Sequence, residues 1–332
     1  MNPNQPIKII GTGKCVPAKK VTSEELEELL GIKHGWSMKN SGVAERYRAE
    51  KETNTSLGVQ ALQQALQNAG LKIHDIDFLI SASVTYDYLL PHQSSNVLRE
   101  FDGTDEPNIP TMDINSSCLS FVSALNMAAH LLAGKQFRNI AIVSAEISSK
   151  GLNPANRETA TLFGDGAAAA IVTADKTGIS GIIKADMKTY SEGFDYSMIR
   201  GGGNRYYFSE HPYDAELYSF YMHGKHLLKL AWKRIPEYFT AFFSDLDRKM
   251  EDIELIVLHP ASKMGLNMFR KVYDLKDEQV YVNLEKNGNC ISASIPMALH
   301  EVIESGRLQR GDEFLIAGTA AGFAIGSILL RF

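Results

Sequence analysis

The run NIAIVSAEI, residues 139–147, is apolar almost from end to end and lacks the alternation of a strand with one wet face. A strand of that composition has to be covered on both faces, which places it inside a layered sheet. IDFLISASV (76–84), IPTMDI (109–114), the small-residue run GAAAAIVTAD (166–175) and IELIVL (253–258) read as further buried strands, and DEFLIAGTAAGFAIGSILLRF (312–332) reads as two strands around a Gly/Ala loop. Helical patterns lie between them: TSLGVQALQQALQNA (55–69) is amphipathic and stops at Gly70, and LSFVSALNMAAHLLAG (119–134) is a small-residue helix suited to burial. Alternating covered strands and helices define the α/β class. With 332 residues the chain exceeds the size at which one core keeps growing, so one large or two medium domains are expected.

Composition narrows the function. A formal charge of -5 without a long Lys/Arg run gives no footprint for nucleic acid. Three cysteines, Cys15, Cys118 and Cys290, stand apart without a C-x-x-C pair, which argues against a disulfide framework and a zinc site and fits a reduced, cytoplasmic setting. The polar start MNPNQP is no signal peptide, and no apolar run approaches the roughly 18 to 20 residues of a membrane span.

Order along the chain adds a repeat. Thr22-Ser23-Glu24-Glu25 opens a helix that either hydroxyl can cap, and residues 34–50, with an isolated Trp36, read as a surface loop. A second series starts near Gly178. GISGIIKADMKTY (178–190) reads as a strand pair, residues 191–216 as a long loop holding Gly201-Gly202-Gly203, and Met222 to Phe243 as a helix interrupted at Pro236. MGLNMFRKVY (264–273) and SASIPMALHEVIESGRL (292–308) read as further helices. In the first series IPTMDI leads to Cys118; in the second IELIVL leads to His259. The expectation is an internal duplication of one βαβ layout, residues 1–176 carrying the cysteine and 177–332 the histidine.

The chemistry is concentrated where those strands end. MDINSSCLSF puts Cys118 at or just before the first turn of a buried helix, where free N–H groups and the helix dipole favour a thiolate. Packing explains a buried cysteine equally well, so this window alone does not choose. A nucleophilic Cys needs partners. His259 follows a buried strand directly, where a βα turn faces a crevice, and Asn289 sits in NGNC, where Gly288 permits a sharp turn. A neutral His N–H and an Asn NH₂ together donate two hydrogen bonds to one oxygen, an oxyanion hole made of side chains. Taken singly, a His at a strand end is usually structural and an Asn in Asn-Gly-Asn is usually turn chemistry.

Six blocks in order then resemble the β-ketoacyl-acyl-carrier-protein synthase III group of the thiolase superfamily: MDINSSCLSF, LFGDGAAAAIV from Leu162, MHGKHLLKLA from Met222, VLHPAS around His259, NGNCISASIPMAL around Asn289, and the closing GTAAGFAIGSILLRF. The resemblance implies a duplicated, five-layered αβαβα thiolase-like fold, a homodimer and a Cys-His-Asn site. It implies that an acyl group loads onto Cys118, and that His259 and Asn289 hold a malonyl (or β-ketoacyl) thioester while CO₂ leaves. The acyl oxyanion would be held by the backbone of Cys118 and of the Ala320-Ala321-Gly322 loop. Coenzyme A or the phosphopantetheine of acyl carrier protein would be substrate carrier, with no permanently bound cofactor and no metal. Trp36 and Arg157 match positions that sandwich the adenine; Gly224, Ala261 and Ser262 match the pantetheine tunnel; Leu90 matches the residue that caps the partner subunit's acyl pocket. Lys225, Lys229 and Lys263 form either a patch for an acidic carrier protein or a solvated face.

Several positions depart from the housekeeping pattern. Asn40 stands where an Arg is usual, Pro260-Ala261-Ser262 replaces Gln-Ala-Asn, Met264 replaces a common docking Arg, Ala320 and Ala321 replace glycines, and Cys290 replaces Thr. These favour a specialised lipid or polyketide pathway over fatty-acid initiation, which stays open as the other setting for the same reaction. A hydroxymethylglutaryl-coenzyme A synthase would carry a Glu base where Val84 stands, and a plant-type polyketide synthase lacks the other blocks. The rival reading is a non-decarboxylating acyltransferase that moves the acyl group from Cys118 to an alcohol or amine, against which Asn289 weighs. A catalytically silent partner in a heterodimer is a further alternative, against which the complete Cys-His-Asn set weighs.

Overall fold

The structure of the protein, a computed structural model, describes residues 5–101 and 109–332; the first four residues of the polar start lie outside them. Two five-stranded sheets carry the architecture. In the first, the strands lie in the order Lys8–Cys15, Gly166–Thr173, Asn139–Glu146, Phe78–Ser81, Thr111–Asp113; in the second, Gly181–Thr189, Ala324–Arg331, Glu313–Ala320, Leu255–Leu258, Val280–Tyr281. Counted along the chain within each sheet, both orders are 1-5-4-2-3. The pairings repeat as well: in each sheet two antiparallel pairs are followed by two parallel ones. The expected duplication is therefore present as topology, although no sequence identity between the series announced it. The expected match of IPTMDI with IELIVL does not hold: Thr111–Asp113 is the third strand of its repeat and Leu255–Leu258 the second, so that Thr111–Asp113 corresponds to Val280–Tyr281.

The apolar strands have two faces because they have two covers. Ile140 and Ile142 face the molecular centre with Leu119, Phe121, Leu125 and Leu299, while Ala141 and Val143 face outward against Leu57, Leu62 and Leu66 of helix Asn54–Ala69. In the second sheet Val257 and Ile316 face the centre, and Ile256 and Leu315 face Ile235, Phe239 and Phe269 of the outer helices Gly224–Phe243 and Lys263–Val272. Helices Ser120–Ala133 and Ser294–Glu304 fill the space between the sheets. Helix, sheet, helix, sheet, helix is the five-layered order, and the small residues Ala124, Ala128 and Ala129 let the central helix sit between two sheets.

Three local readings are corrected. Residues 34–50 are not a free loop: Trp36–Asn40 is a short helix and Glu45–Arg48 is a strand paired with Lys19–Thr22. Its charged sequence hid the strand, yet Arg46 is wholly buried and donates to Ser23 Oγ and to the Thr161 carbonyl. Residues 178–190 supply one strand, Gly181–Thr189, rather than a pair. Pro236 lies inside an unbroken helix, Gly224–Phe243. The carbonyl it leaves without a donor belongs to Trp232, which is exposed to water.

Of the two candidate caps, Thr22 accepts from the Glu25 N–H at 3.2 Å while Glu25 accepts from the Thr22 N–H at 2.7 Å, a complete capping box. Ser23 turns inward and donates to the Val43 carbonyl at 2.5 Å. Thr22→Ala is expected to lower stability by about 1 kcal/mol, read as a shift of the urea midpoint at unchanged slope.

Candidate active site

The turn before Cys118 is built from its own hydroxyls and amide. Asn115 Oδ1 accepts from the Ser117 N–H at 2.9 Å, Ser120 Oγ accepts from the Ser116 N–H at 3.0 Å, and the same hydroxyl donates to the Ser117 carbonyl at 2.6 Å. These bonds hold Ser117 at φ 53°, a left-handed conformation that a residue with a Cβ adopts only under such constraint. The NSS triplet is thus what aims Cys118 away from its strand. Helix Ser120–Ala133 begins just beyond it, as expected, but the expected thiolate character does not follow. Cys118 meets solvent only across a cavity, and burial pushes its thiol up to about 12, with the Glu146 carboxylate adding to the rise. The N–H groups of Ala321 and of Cys118 itself act in the opposite direction and do not offset it.

Those two N–H groups are the pair expected to form the acyl oxyanion hole. Ala320 ends strand Glu313–Ala320, and the tight reversal into strand Ala324–Arg331 places its left-handed residues at Gly322 (φ 79°) and Phe323 (φ 48°). The alanines at 320 and 321 therefore occupy positions that need no glycine.

His259 directly follows strand Leu255–Leu258 and is 3% exposed, and neither ring nitrogen has a hydrogen-bond partner within 3.5 Å. Burial lowers its pKa to about 4, and the nearby Asn289 side chain and Ile291 main chain recover only part of that. The imidazole is neutral at physiological pH, with a nitrogen free to donate. Its position depends on Gly318, where a Cβ would stand 2.6 Å from the His259 Cβ. Gly318→Ala is expected to displace the imidazole and to cut turnover at least tenfold, on the order of the loss from misplaced catalytic geometry; a parent-like rate would refute the contact.

Asn289 is held by backbone on both sides: its N–H donates to the Leu162 carbonyl at 2.9 Å and its carbonyl accepts from the Gly164 N–H at 3.1 Å. Its side-chain oxygen accepts from the Ile291 N–H at 2.8 Å, which leaves the amide NH₂ as the group to offer. LFGDG and NGNC, distant in sequence, are in contact here.

Cys118, His259 and Asn289 line one cavity of about 1340 Å³. Trp36, Gly224, Ala261 and Ser262 line it too. Trp36 is set by Glu27, whose buried carboxylate accepts from the Gly35 and Ser37 N–H groups at 2.7 Å each. Arg157, the first residue of helix Arg157–Ala160, is exposed and is not among the lining residues; neither is Leu90, which is 86% exposed. Asn40 donates to the Trp36 carbonyl at 2.7 Å, so its amide is engaged locally. Lys263 donates to the Met38 carbonyl at 2.8 Å, while Lys225 and Lys229 remain exposed.

Sequence reasoning missed Glu146. It is fully buried and accepts from the Val84 N–H, the Thr85 N–H and the Thr85 hydroxyl at 2.8, 2.9 and 2.7 Å, with the Ser292 hydroxyl beside it. Burial raises its pKa to about 6, against those hydrogen bonds. The available signal was a lone carboxylate at the end of the apolar run NIAIVSAEI. Among the described residues no cluster of His, Cys, Asp and Glu is arranged to hold a metal, and no helix is long and apolar enough to cross a membrane.

Two sheets of identical topology, with a cysteine from one repeat and a histidine and asparagine from the other sharing one cavity, define a thiolase-fold protein of the condensing-enzyme type. The family described as 3-oxoacyl-[acyl-carrier-protein (ACP)] synthase III matches residues 112–191, and its C-terminal part matches residues 244–332. The β-ketoacyl-[acyl-carrier-protein] synthase III of Aquifex aeolicus is 30% identical over 328 residues, covering 98% of this chain and 99% of that protein. The chain belongs to the 3-oxoacyl-acyl-carrier-protein synthase III family. The crystal structure of the Aquifex aeolicus enzyme superposes with a TM-score of 0.87 at 29% identity, covering 98% of this chain and all of that one. The priming β-ketosynthase of the R1128 polyketide pathway shares the fold at a TM-score of 0.89 and 23% identity, with 100% and 98% of the two chains covered.

Proposed function

We propose that this protein performs a decarboxylative Claisen condensation in which Cys118 carries the acyl group, in a specialised lipid or polyketide pathway. The observation that carries the reading is the pair of neutral donors, His259 and Asn289, on the cavity that also holds Cys118. The Cys118 sulfur adds to the carbonyl of an acyl thioester, its proton passes to the departing carrier thiol, and an acyl-cysteine remains. The N–H groups of Cys118 and of the Ala321-Gly322 turn take up the oxyanion. A malonyl thioester then loses CO₂: the bond from its α-carbon to the carboxylate breaks, and the electron pair moves into an enolate. The enolate oxygen is the charge that His259 and Asn289 stabilise, and no proton transfer is needed. The α-carbon attacks the acyl-cysteine, the new carbon–carbon bond forms, and Cys118 leaves as thiolate and recovers a proton.

Trp36, Gly224, Ala261 and Ser262 would bind the pantetheine arm of coenzyme A or of acyl carrier protein. Arg157 would stack on an adenine opposite Trp36, a contact suited to a guanidinium plane. Leu90, exposed in its own chain, would cap the acyl pocket of a second subunit in a homodimer. The same fixed Asn289 weighs against plain acyl transfer, which forms no enolate. Because the His259 ring is held neutral, the rate of malonyl decarboxylation is expected to show no ionisation from it between about pH 5 and 8; a rate tied to a group titrating near the usual histidine value would contradict this. A panel of acyl donors against malonyl-coenzyme A and malonyl carrier protein, with products identified by mass, tests the reading and names the pathway class.

A further inference from the structure

Directly behind the cavity wall formed by Val84, Thr85 and Ile147 lies a buried carboxylate that the proposed reaction leaves unused. Glu146 ends strand Asn139–Glu146, and its four hydrogen-bond contacts come from two other segments of the chain. One is the cavity wall Val84-Thr85, where Thr85 Oγ1 also accepts from the Ile147 N–H at 3.0 Å and from Asn54 Nδ2 at 2.8 Å. The other is Ser292 in the loop that follows Asn289. Ser292 Oγ also lies 2.8 Å from the Ala82 carbonyl, so one hydroxyl bridges the loop to the ends of two strands of the first sheet. Between Asn289 and Ser292 stands Ile291 at φ 49°, a conformation that a β-branched residue does not hold unaided. The Ile291 N–H is the donor that fixes the Asn289 side chain.

We propose that Glu146 is a positioning residue: it ties the Asn289 loop to the wall of the Cys118 pocket, so that the Asn289 amide keeps its aim, and it fixes a negative charge beside the thiol. The tie is directional, because every partner is a neutral donor whose geometry the carboxylate dictates. The charge adds to the burial that already holds the Cys118 thiol protonated in the resting site. The titratable groups that face the thiol are Glu146 from strand Asn139–Glu146 and, across the cavity, His259 after strand Leu255–Leu258. The 320–323 turn and the first turns of helix Ser120–Ala133 carry none.

The inference rests on the reading of Asn289 as an enolate donor, and the test separates the two. Glu146→Gln and Ser292→Ala are made in the full chain, and two quantities are measured: kcat and KM for CO₂ release from malonyl-coenzyme A, and the pH dependence of Cys118 alkylation by iodoacetamide. Glu146→Gln is expected to lower kcat by about tenfold or more with KM within about twofold, as for a misaimed donor, and to move the alkylation midpoint to lower pH. Ser292→Ala is expected to lower kcat and to keep the parent midpoint, since the charge stays. A parent-like kcat in either variant, or an unmoved midpoint in Glu146→Gln, overturns the proposal. Should Glu146→Gln not fold, Ser292→Ala decides on kcat. A parent that releases no CO₂ overturns the reading of Asn289, and the alkylation profile, which needs no substrate, then decides the role of the Glu146 charge by itself.

Discussion

Cys118→Ala is expected to abolish the acyl adduct that intact-protein mass spectrometry detects after incubation with an acyl-coenzyme A, and to reduce condensation on the order of 10³-fold or more, as for loss of a nucleophile. The expectation comes from the strand-to-helix turn. Ser117 is held left-handed, the next residue is the thiol, and the N–H groups of Cys118 and Ala321 both act on its sulfur. The high pKa of the resting thiol does not conflict with this role. An acyl thioester bound in the cavity supplies an electrophile and displaces water, and the same N–H groups that pull the thiolate down are ready for the tetrahedral oxygen. An adduct that persists in Cys118→Ala would move the nucleophile to another residue. The other free thiols are poorly placed: Cys290 is wholly buried, and Cys15 does not line the cavity.

His259→Ala is expected to leave acylation of Cys118 intact and to slow malonyl decarboxylation by about 100-fold or more, the usual effect of losing one oxyanion donor. The separation follows from the proposed roles: the acyl oxyanion falls to backbone N–H groups and the enolate oxygen to side chains, and neither nitrogen of the buried ring is committed to a well-formed hydrogen bond. Single-turnover acylation and CO₂ release, measured on the same variant, distinguish the steps. Parent-like CO₂ release would remove His259 from the reaction.

The layered fold was legible because covered strands lack polar alternation, as NIAIVSAEI and IELIVL show, and because Gly70 ends its helix where the periodicity stops. Cys118 and His259 could be singled out because each lies just past a strand, and Asn289 because Gly288 permits a sharp turn, and the structure brings the three to one cavity. The strand before Cys118, Thr111–Asp113, is not buried as expected: it is the edge of its sheet, with Met112 and Asp113 exposed. Glu146 could not be singled out. Its meaning lies in Val84, Thr85 and Ser292, partners 62, 61 and 146 positions away, and no local pattern encodes such contacts. The same limit explains the strand Glu45–Arg48. A two-stranded pair with charged faces reads as loop, and only the tertiary contacts of the buried Arg46 reveal it. The thiolate expectation for Cys118 failed for a related reason: a helix terminus is a local feature, whereas desolvation and the Glu146 charge are set by the assembled fold.

The most direct measurement is the stoichiometry of a single turnover with acyl-loaded protein and malonyl thioester. The account predicts that each acyl group lost from Cys118 appears as a 3-oxoacyl thioester, with one CO₂ released per product, whichever carrier delivers the malonyl group. Transfer of the acyl group to an alcohol or amine without CO₂ would contradict it, and would assign the cavity to plain acyl transfer.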